Sequence, residues 1–331
     1  MRTPEKHFIL LQYAGQKLNK IARPPADAKS SSPTTNQLPV MDHFSISELS
    51  RLSGVKPFTI RVWEKRYNAL NPDRSEGNTR YYNNKQLRRL LNIVSLLELG
   101  NKVSEICALP DSTLFRMIED KKTPAQGDQE GFFIAQLIAA GFSYDEPFFT
   151  NIFAQCLARY GVRDTYIRIL YPTLQRIGIL WNSDQVNPGN EHFITNLIRQ
   201  KVLTAIDLLP SPVTTAGNWL LFLPENEFHE TGLLIAHYLI RLSGRKSVYL
   251  GANVPAEALF AAAATIRPAN ILFFFVHRQD PDGMQQYLRT LAAGVKNSRI
   301  YAAGDRLSTL LVPSKRTHFL ESVDELEKLL D

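Results

Sequence analysis

Glu227-Phe228-His229-Glu230-Thr231-Gly232 is the stretch from which the fold is read. An apolar run at 219–224 precedes it and reads as a buried strand. After it Leu233, Leu234, Ala236, Leu239 and Ile240 recur at three- and four-residue steps, the period of a helix. His229 therefore falls on the loop leaving the carboxyl end of a strand, the edge where ligands bind in open α/β sheets. Glu227, two residues earlier, is placed to accept from one imidazole nitrogen and leave the other for a metal. Gly232 lets a bulky ligand come close to the backbone.

The same alternation continues to the end of the chain. Strands are expected at 219–223, 247–250, 271–276 and 299–303, with a weaker one near His318. Helices fall between them, near 231–242, 255–265, 281–293 and 322–330. That order predicts a doubly wound, Rossmann-like parallel sheet over 215–331.

Upstream, residues 128–210 are helical by pattern. Segments 132–140, 146–158, 163–181 and 188–209 each carry an apolar stripe, and four such segments with short connections predict a four-helix bundle. Asn187 and Pro188 open the last of them as cap and first-turn residue, with Glu191 and His192 just inside. Residues 121–130 are polar and read as a linker.

Residues 43–110 make a further module. Ser45 and Glu48 form a capping box, Gly54 stops the first helix, and Pro57 opens a second. Two short helices about a glycine turn are a helix-turn-helix. A turn-rich stretch at 71–78 and a short strand at 79–82 read as a wing. A third helix covers 84–99 and a fourth lies near 103–108. Residues 1–40 are rich in Pro, Ala, Ser, Thr and Asn over 23–39 and are expected to be a disordered tail, with Met41 an alternative start.

The totals fit a multidomain protein. The chain has 331 residues, 44% hydrophobic and 21% charged, with net charge +6, which permits an anionic partner. No apolar run is long enough to span a bilayer and no secretory signal is visible, so a cytoplasmic address without membrane contact is expected. Cys107 and Cys156 stand far apart without CxxC or Cys/His neighbours, which argues against a thiolate zinc site and for buried small hydrophobes. No nucleophile or acid/base constellation is apparent, so no enzyme is expected.

Two resemblances sharpen this reading. Acidic residue, one residue, His, two residues, Gly at 227–232 resembles the cobalamin-binding domain shared by methionine synthase, corrinoid carriers and some transcription factors. It implies His229 as the lower axial ligand of cobalt, held by Glu227. Residues 249–255, Tyr-Leu-Gly-Ala-Asn-Val-Pro, resemble the second loop of such domains, so Leu250, Gly251 and Val254 join the candidate cofactor set with Gly232 and Gly304. Residues 61–67, Arg74 and 78–82 resemble the MerR family of winged-helix regulators. By that resemblance Arg61, Tyr67 and Arg80 hold phosphates, and Phe58 and Thr59 meet base edges. Arg66, Arg74, Asn78 and Tyr82 complete the expected contact set for double-stranded operator DNA. Glu64 is read as orienting Arg61 or Arg66.

Trp181, nine residues, Glu191 and His192 resemble the cobalamin-dependent light sensors of the MerR family, of the CarH and LitR type. The resemblance implies that these three side chains cover the upper face of adenosylcobalamin. It also implies a dimer or tetramer on operator DNA that dissociates in light. Three departures accompany it. Asn182 stands where the sensors carry a second cobalt-capturing His, Phe273–Phe275 where the third strand offers Ser-x-Leu, and Ala302-Ala303-Gly304 where a Gly-Gly is usual. Two alternatives therefore stay open: a cobalamin-independent regulator controlled by a protein antagonist, and a corrinoid methyl carrier.

Overall fold

The computed structural model describes residues 43–75, 77–120, 129–181, 188–275, 280–304, 307 and 311–331. The N-terminal tail, Met41, the 121–128 stretch, Asn182 and Val276 lie outside the described residues.

The first helices form as the sequence predicts. In α1 (Ile46–Ser53) the capping box closes, with Ser45 Oγ accepting from Glu48 N and Glu48 accepting from Ser45 N. Gly54 ends the helix at φ +76°, a conformation that disfavours any side chain. Helix α2 (Pro57–Tyr67) follows, then the wing, β1 (Asp73–Arg74) antiparallel to β2 (Arg80–Tyr81). Helix α3 (Asn84–Glu98) and the short α4 (Val103–Ile106) come next.

The module does not end there. A further helix, α5 (Asp111–Asp120), packs on α3 and buries Leu114 and Ile118. Its signal was a first-turn acid after Pro110 and apolar residues four apart. Arg89 of α3 closes the chain turns around it, donating to the carbonyls of Ala69 (2.7 Å), Cys107 (2.8 Å) and Leu109 (3.1 Å).

Helix α6 (Gln129–Phe142) already includes the last two residues of the expected linker. Next, α7 (Glu146–Thr165) is broken at Gly161, where φ is +69°. A single π-helical turn, Tyr166–Leu170, leads into α8 (Tyr171–Trp181). Pro172 has no N–H for the carbonyl four residues back, so the preceding turn widens. Helix α9 (Pro188–Asp207) completes the four helical segments.

The remainder is α/β. Strands β3 (Thr214–Pro224), β4 (Arg245–Val254), β5 (Asn270–Phe274), β6 (Arg299–Ala303) and β7 (Thr317–Leu320) form one parallel sheet in the order β4-β3-β5-β6-β7. Helices α10 (Glu230–Leu242) and α13 (Val323–Leu330) pack on the sheet and on each other. Helices α11 (Ala256–Ile266) and α12 (Pro281–Gly294) bury Leu259, Met284, Leu288 and Leu291 against Leu220, Phe222, Ile271, Phe273 and Ile300 of the opposite face. The doubly wound sheet is thus present. The switch in strand order lies at β3, whose carboxyl end carries the loop with His229.

The chain divides into two compact units. One holds the winged helix-turn-helix together with the helices up to Gly161 and Arg168–Ile194. The other holds the sheet, the later part of α9 from Thr195, and the short segment Val162–Ile167. In that second unit Arg163 donates to both carboxylate oxygens of Glu327 (2.6 and 2.7 Å), and also to Asp324 and Asp164. Both cysteines are buried thiols, and burial pushes that of Cys156 up to about 12, so neither is a thiolate at neutral pH. No helix among the described residues is long and apolar enough to cross a membrane.

Candidate functional site

The loop after β3 is built to hold one imidazole. Asn226 and Asn253 both adopt positive φ, and the Asn253 side chain accepts from Asn226 N (2.9 Å) while Asn253 N donates to the Glu227 carbonyl (3.0 Å). Glu227 is only 5% exposed. Its Oε1 accepts from the backbone of Phe228 (3.0 Å) and His229 (3.2 Å), and meets His229 Nδ1 at 2.5 Å. A carboxylate at Nδ1 fixes the tautomer with the proton there and the lone pair on Nε2. His229 is also the N-cap of α10 but makes no side-chain cap bond, so its ring serves the carboxylate instead. Gly232 is buried in the first turn of α10.

A second set of contacts, invisible in the sequence, fixes the start of the same helix. Glu230 accepts from the Tyr249 hydroxyl (3.0 Å) and from Arg199 Nε of α9 (2.8 Å). Gly251 belongs to this set. Its φ is +83°, and a Cβ there would lie 3.2 Å from Glu230 Oε1. Leu250 and Val254 turn elsewhere. Val254 is part of the core against α11, and Leu250 packs on that core, because alternate β4 residues face it.

The third-strand aromatics are wholly enclosed. Phe273 stacks on Phe222 (ring centroids 5.4 Å) and meets Phe275 edge-on (4.9 Å), with Tyr287 closing the cluster (5.6 Å). A Cβ on Gly304 would lie 2.8 Å from the Phe275 carbonyl oxygen, so only glycine fits at that approach. The donor set at His229 suits a metal that arrives with its other ligands, as in a macrocycle: one imidazole, its companion carboxylate already engaged to it. The end of β5 differs, offering packed aromatic surface where the resemblance has a small polar residue.

Trp181 is the last residue of α8, and Glu191 and His192 lie in the first turns of α9. There Glu191 Oε2 stands 3.0 Å from His192 Nδ1, the Glu mostly covered and the His outward.

Elsewhere on α10, His237 is buried, with Nδ1 2.8 Å from Ser247 Oγ. Burial, and secondarily Arg241, push its imidazole down to about 4. It is therefore neutral in the folded protein at pH 7. An unfolded histidine protonates near 6.5, so between those two values the unfolded chain binds more protons and stability falls as pH falls. The loss is about 3 kcal/mol at most, complete below the folded value. In urea melts of the cofactor-free protein, His237→Gln should flatten the decline between about pH 6.5 and 4.5. An unaltered decline would exclude His237 as its source.

On the helix-turn-helix, Phe58 is 74% exposed at the start of α2, and Arg61 and Arg66 are exposed on it. Thr59 and Tyr67 are half-buried. The Arg66 guanidinium lies 5.4 Å from the Tyr67 ring centroid. In the wing Arg74 donates to the Asn78 side chain. Two expectations fail. Tyr82 has no exposed surface and donates its hydroxyl to Glu64, so it is a core residue and not a DNA contact. Glu64 holds Tyr82 and Arg80 (Nε to Oε2, 3.1 Å), not Arg61 or Arg66, because the wing strand returns beside α2. Arg80 is thus aimed by a carboxylate that is itself nearly covered.

Residues 44–111 match the MerR HTH family regulatory proteins, and residues 133–204 match the B12 binding domain. The chain carries a MerR-type helix-turn-helix region and a B12-binding domain. It is 28% identical over 230 residues to the HTH-type transcriptional repressor CarH of Myxococcus xanthus, covering 68% of the chain and 76% of CarH. It is 29% identical over 239 residues to the repressor CarA of the same organism, covering 72% and 78% respectively. Among solved structures, the monomethylamine corrinoid protein of Methanosarcina barkeri is 14% identical, with a TM-score of 0.46 over 60% of this chain and 92% of that one.

Proposed function

We propose that the chain is a transcriptional repressor whose hold on operator DNA is set by bound adenosylcobalamin and by light. The observation that carries the reading is the Glu227–His229 pair: a buried carboxylate 2.5 Å from Nδ1 presents Nε2 as a ligand to cobalt. Adenosylcobalamin, when bound, supplies a cobalt–carbon bond that light can break. His229 would hold the metal through Nε2, and Gly232 would let the cofactor come close to the backbone. The resemblance assigns Trp181, Glu191 and His192 to the cofactor's other face, an indole to apolar contact and the other two to polar contact. Asn182 is a poor cobalt ligand beside imidazole, so the second capture step of the light sensors is missing unless His192 takes it. Phe58, Thr59, Arg61, Arg66, Tyr67, Arg74, Asn78 and Arg80 meet the duplex, and the chain acts in the cytoplasm as a dimer that doubles to a tetramer in the dark. It has no catalytic role of its own.

The packed cluster of Phe222, Phe273 and Phe275 favours one second reading, a regulator that takes no cobalamin and answers to a protein antagonist. One experiment separates them. The purified protein is incubated in the dark with adenosylcobalamin and passed through gel filtration before and after green light, with spectra across the peak. Bound colour with histidine-ligated cobalt and a larger assembly in the dark is the expected result. A colourless peak removes the cobalamin reading, and a coloured peak of unchanged size removes light control.

A further inference from the structure

We propose that Arg176 is a positioning residue for DNA recognition, through which α8 sets the turn between α1 and α2. The helix-turn-helix is fastened to the helices behind it at two separate places within one compact unit. The first is on α6, which packs on α3, where buried Gln136 donates to Ser95 Oγ (2.6 Å), and beside α1, just ahead of which the Phe44 ring meets Phe142 at 5.8 Å. The second is α1 against α8, where Arg176 Nη1 donates to the Leu52 carbonyl (3.4 Å). Three guanidinium atoms lie 3.2–3.4 Å from where a Cβ on Gly54 would sit. Gly54 is required for its φ, and its bare Cα lets the guanidinium sit close above the turn. A cation over the last carbonyls of α1 is also favoured by the helix dipole.

Two fastenings on two different helices make a lever. If α8 shifts, Arg176 draws the Leu52 carbonyl and the Gly54 turn with it, and α2 is delivered to the groove at a new angle. The turn transmits the shift because it is short and tightly bonded. Gly54 N donates to Ser50 (2.9 Å), Ser53 Oγ to the Leu49 carbonyl (2.6 Å), and Val55 N to Ser53 Oγ (3.2 Å). Arg176 lies five residues before Trp181, about 7.5 Å along the axis of α8. The inference rests on the reading above that Trp181 covers the cofactor.

The test is amide hydrogen exchange of the full chain, with and without adenosylcobalamin in the dark, for wild type, Arg176→Ala and Arg176→Lys. Absorbance of the same samples reports whether cofactor is bound. In wild type the cofactor should change exchange at residues 53–58 by about tenfold. In Arg176→Ala the change should fall below about twofold although the protein stays coloured. Arg176→Lys, which keeps the charge and loses the fork, should lie between them. An undiminished change in a coloured Arg176→Ala sample overturns the proposal, as does a coloured wild type without any change at the turn. A colourless wild type removes the cofactor reading itself and the lever with it. Should Arg176→Ala not fold, the Lys variant decides: a wild-type response there overturns the requirement for a guanidinium.

Discussion

Cobalamin bound to a His229→Ala protein should lose every spectroscopic sign of histidine ligation, and affinity should fall at least about a hundredfold, or ~2.7 kcal/mol. The size follows from what the loop does. Glu227 accepts from two backbone amides and the imidazole, so ring and carboxylate are oriented before any ligand arrives. Removing the ring deletes the donor atom itself. Glu227→Gln keeps that atom but loses the carboxylate that raises its basicity, and should cost about ten- to a hundredfold. Hydroxocobalamin titrations followed by absorbance, with electron paramagnetic resonance of the reduced cobalt, check both. Nitrogen hyperfine structure from histidine surviving in His229→Ala would remove residue 229 as the ligand.

Glu64→Ala offers a prediction whose sign discriminates between two ideas. If the carboxylate acted only as a negative charge near DNA, its removal would strengthen binding. The structure argues for the opposite, because Glu64 aims Arg80 and accepts the Tyr82 hydroxyl in the core. Burial, then the Glu64 carboxylate, push the Tyr82 hydroxyl far above its usual range, so it remains a donor at any working pH. Without Glu64 that hydroxyl is left buried and unsatisfied, costing about 1–3 kcal/mol of stability. Arg80 loses its aim but keeps its charge. DNA affinity should therefore drop about tenfold with the salt dependence unchanged, whereas Arg80→Ala should reduce the salt slope by about one. Urea melts and fluorescence anisotropy on a duplex from upstream of the chain's own coding sequence measure both effects. Tighter binding by Glu64→Ala would show the charge, not the aim, to be what matters.

Much of the fold could be read from the chain because its signals are local. The capping box at Ser45, the glycine at 54 and the apolar runs at 219–224 and 271–276 each act within a few residues. The pairing of Glu227 with His229 was legible for the same reason, a separation of two. What escaped lies between distant segments. Glu64 meets Arg80 and Tyr82, 16 and 18 residues on, and only the return of the wing decides which arginine it holds. Tyr82 was mistaken for a contact because a tyrosine beside basic residues looks the same whether it faces DNA or the core. The first part of β3, 214–218, is polar and glycine-bearing and gave no strand signal. The attachment of α6 to the DNA-binding helices did leave a trace. Residues 132–140 hold one polar side chain, Gln136, and a helix apolar on all sides must be covered on all sides.

Arg163 shows what such long-range fastening means for dissecting the protein. It stands 161 and 164 residues before the two α13 carboxylates it neutralises, Asp324 and Glu327. A C-terminal fragment excised at residue 210 would keep those two acids one helical turn apart on α13 and lose their shared counter-ion. Its terminal helix would then fray as salt is lowered, when like charges repel most. The sheet is therefore not a detachable cassette: six residues from the middle of the chain travel with it.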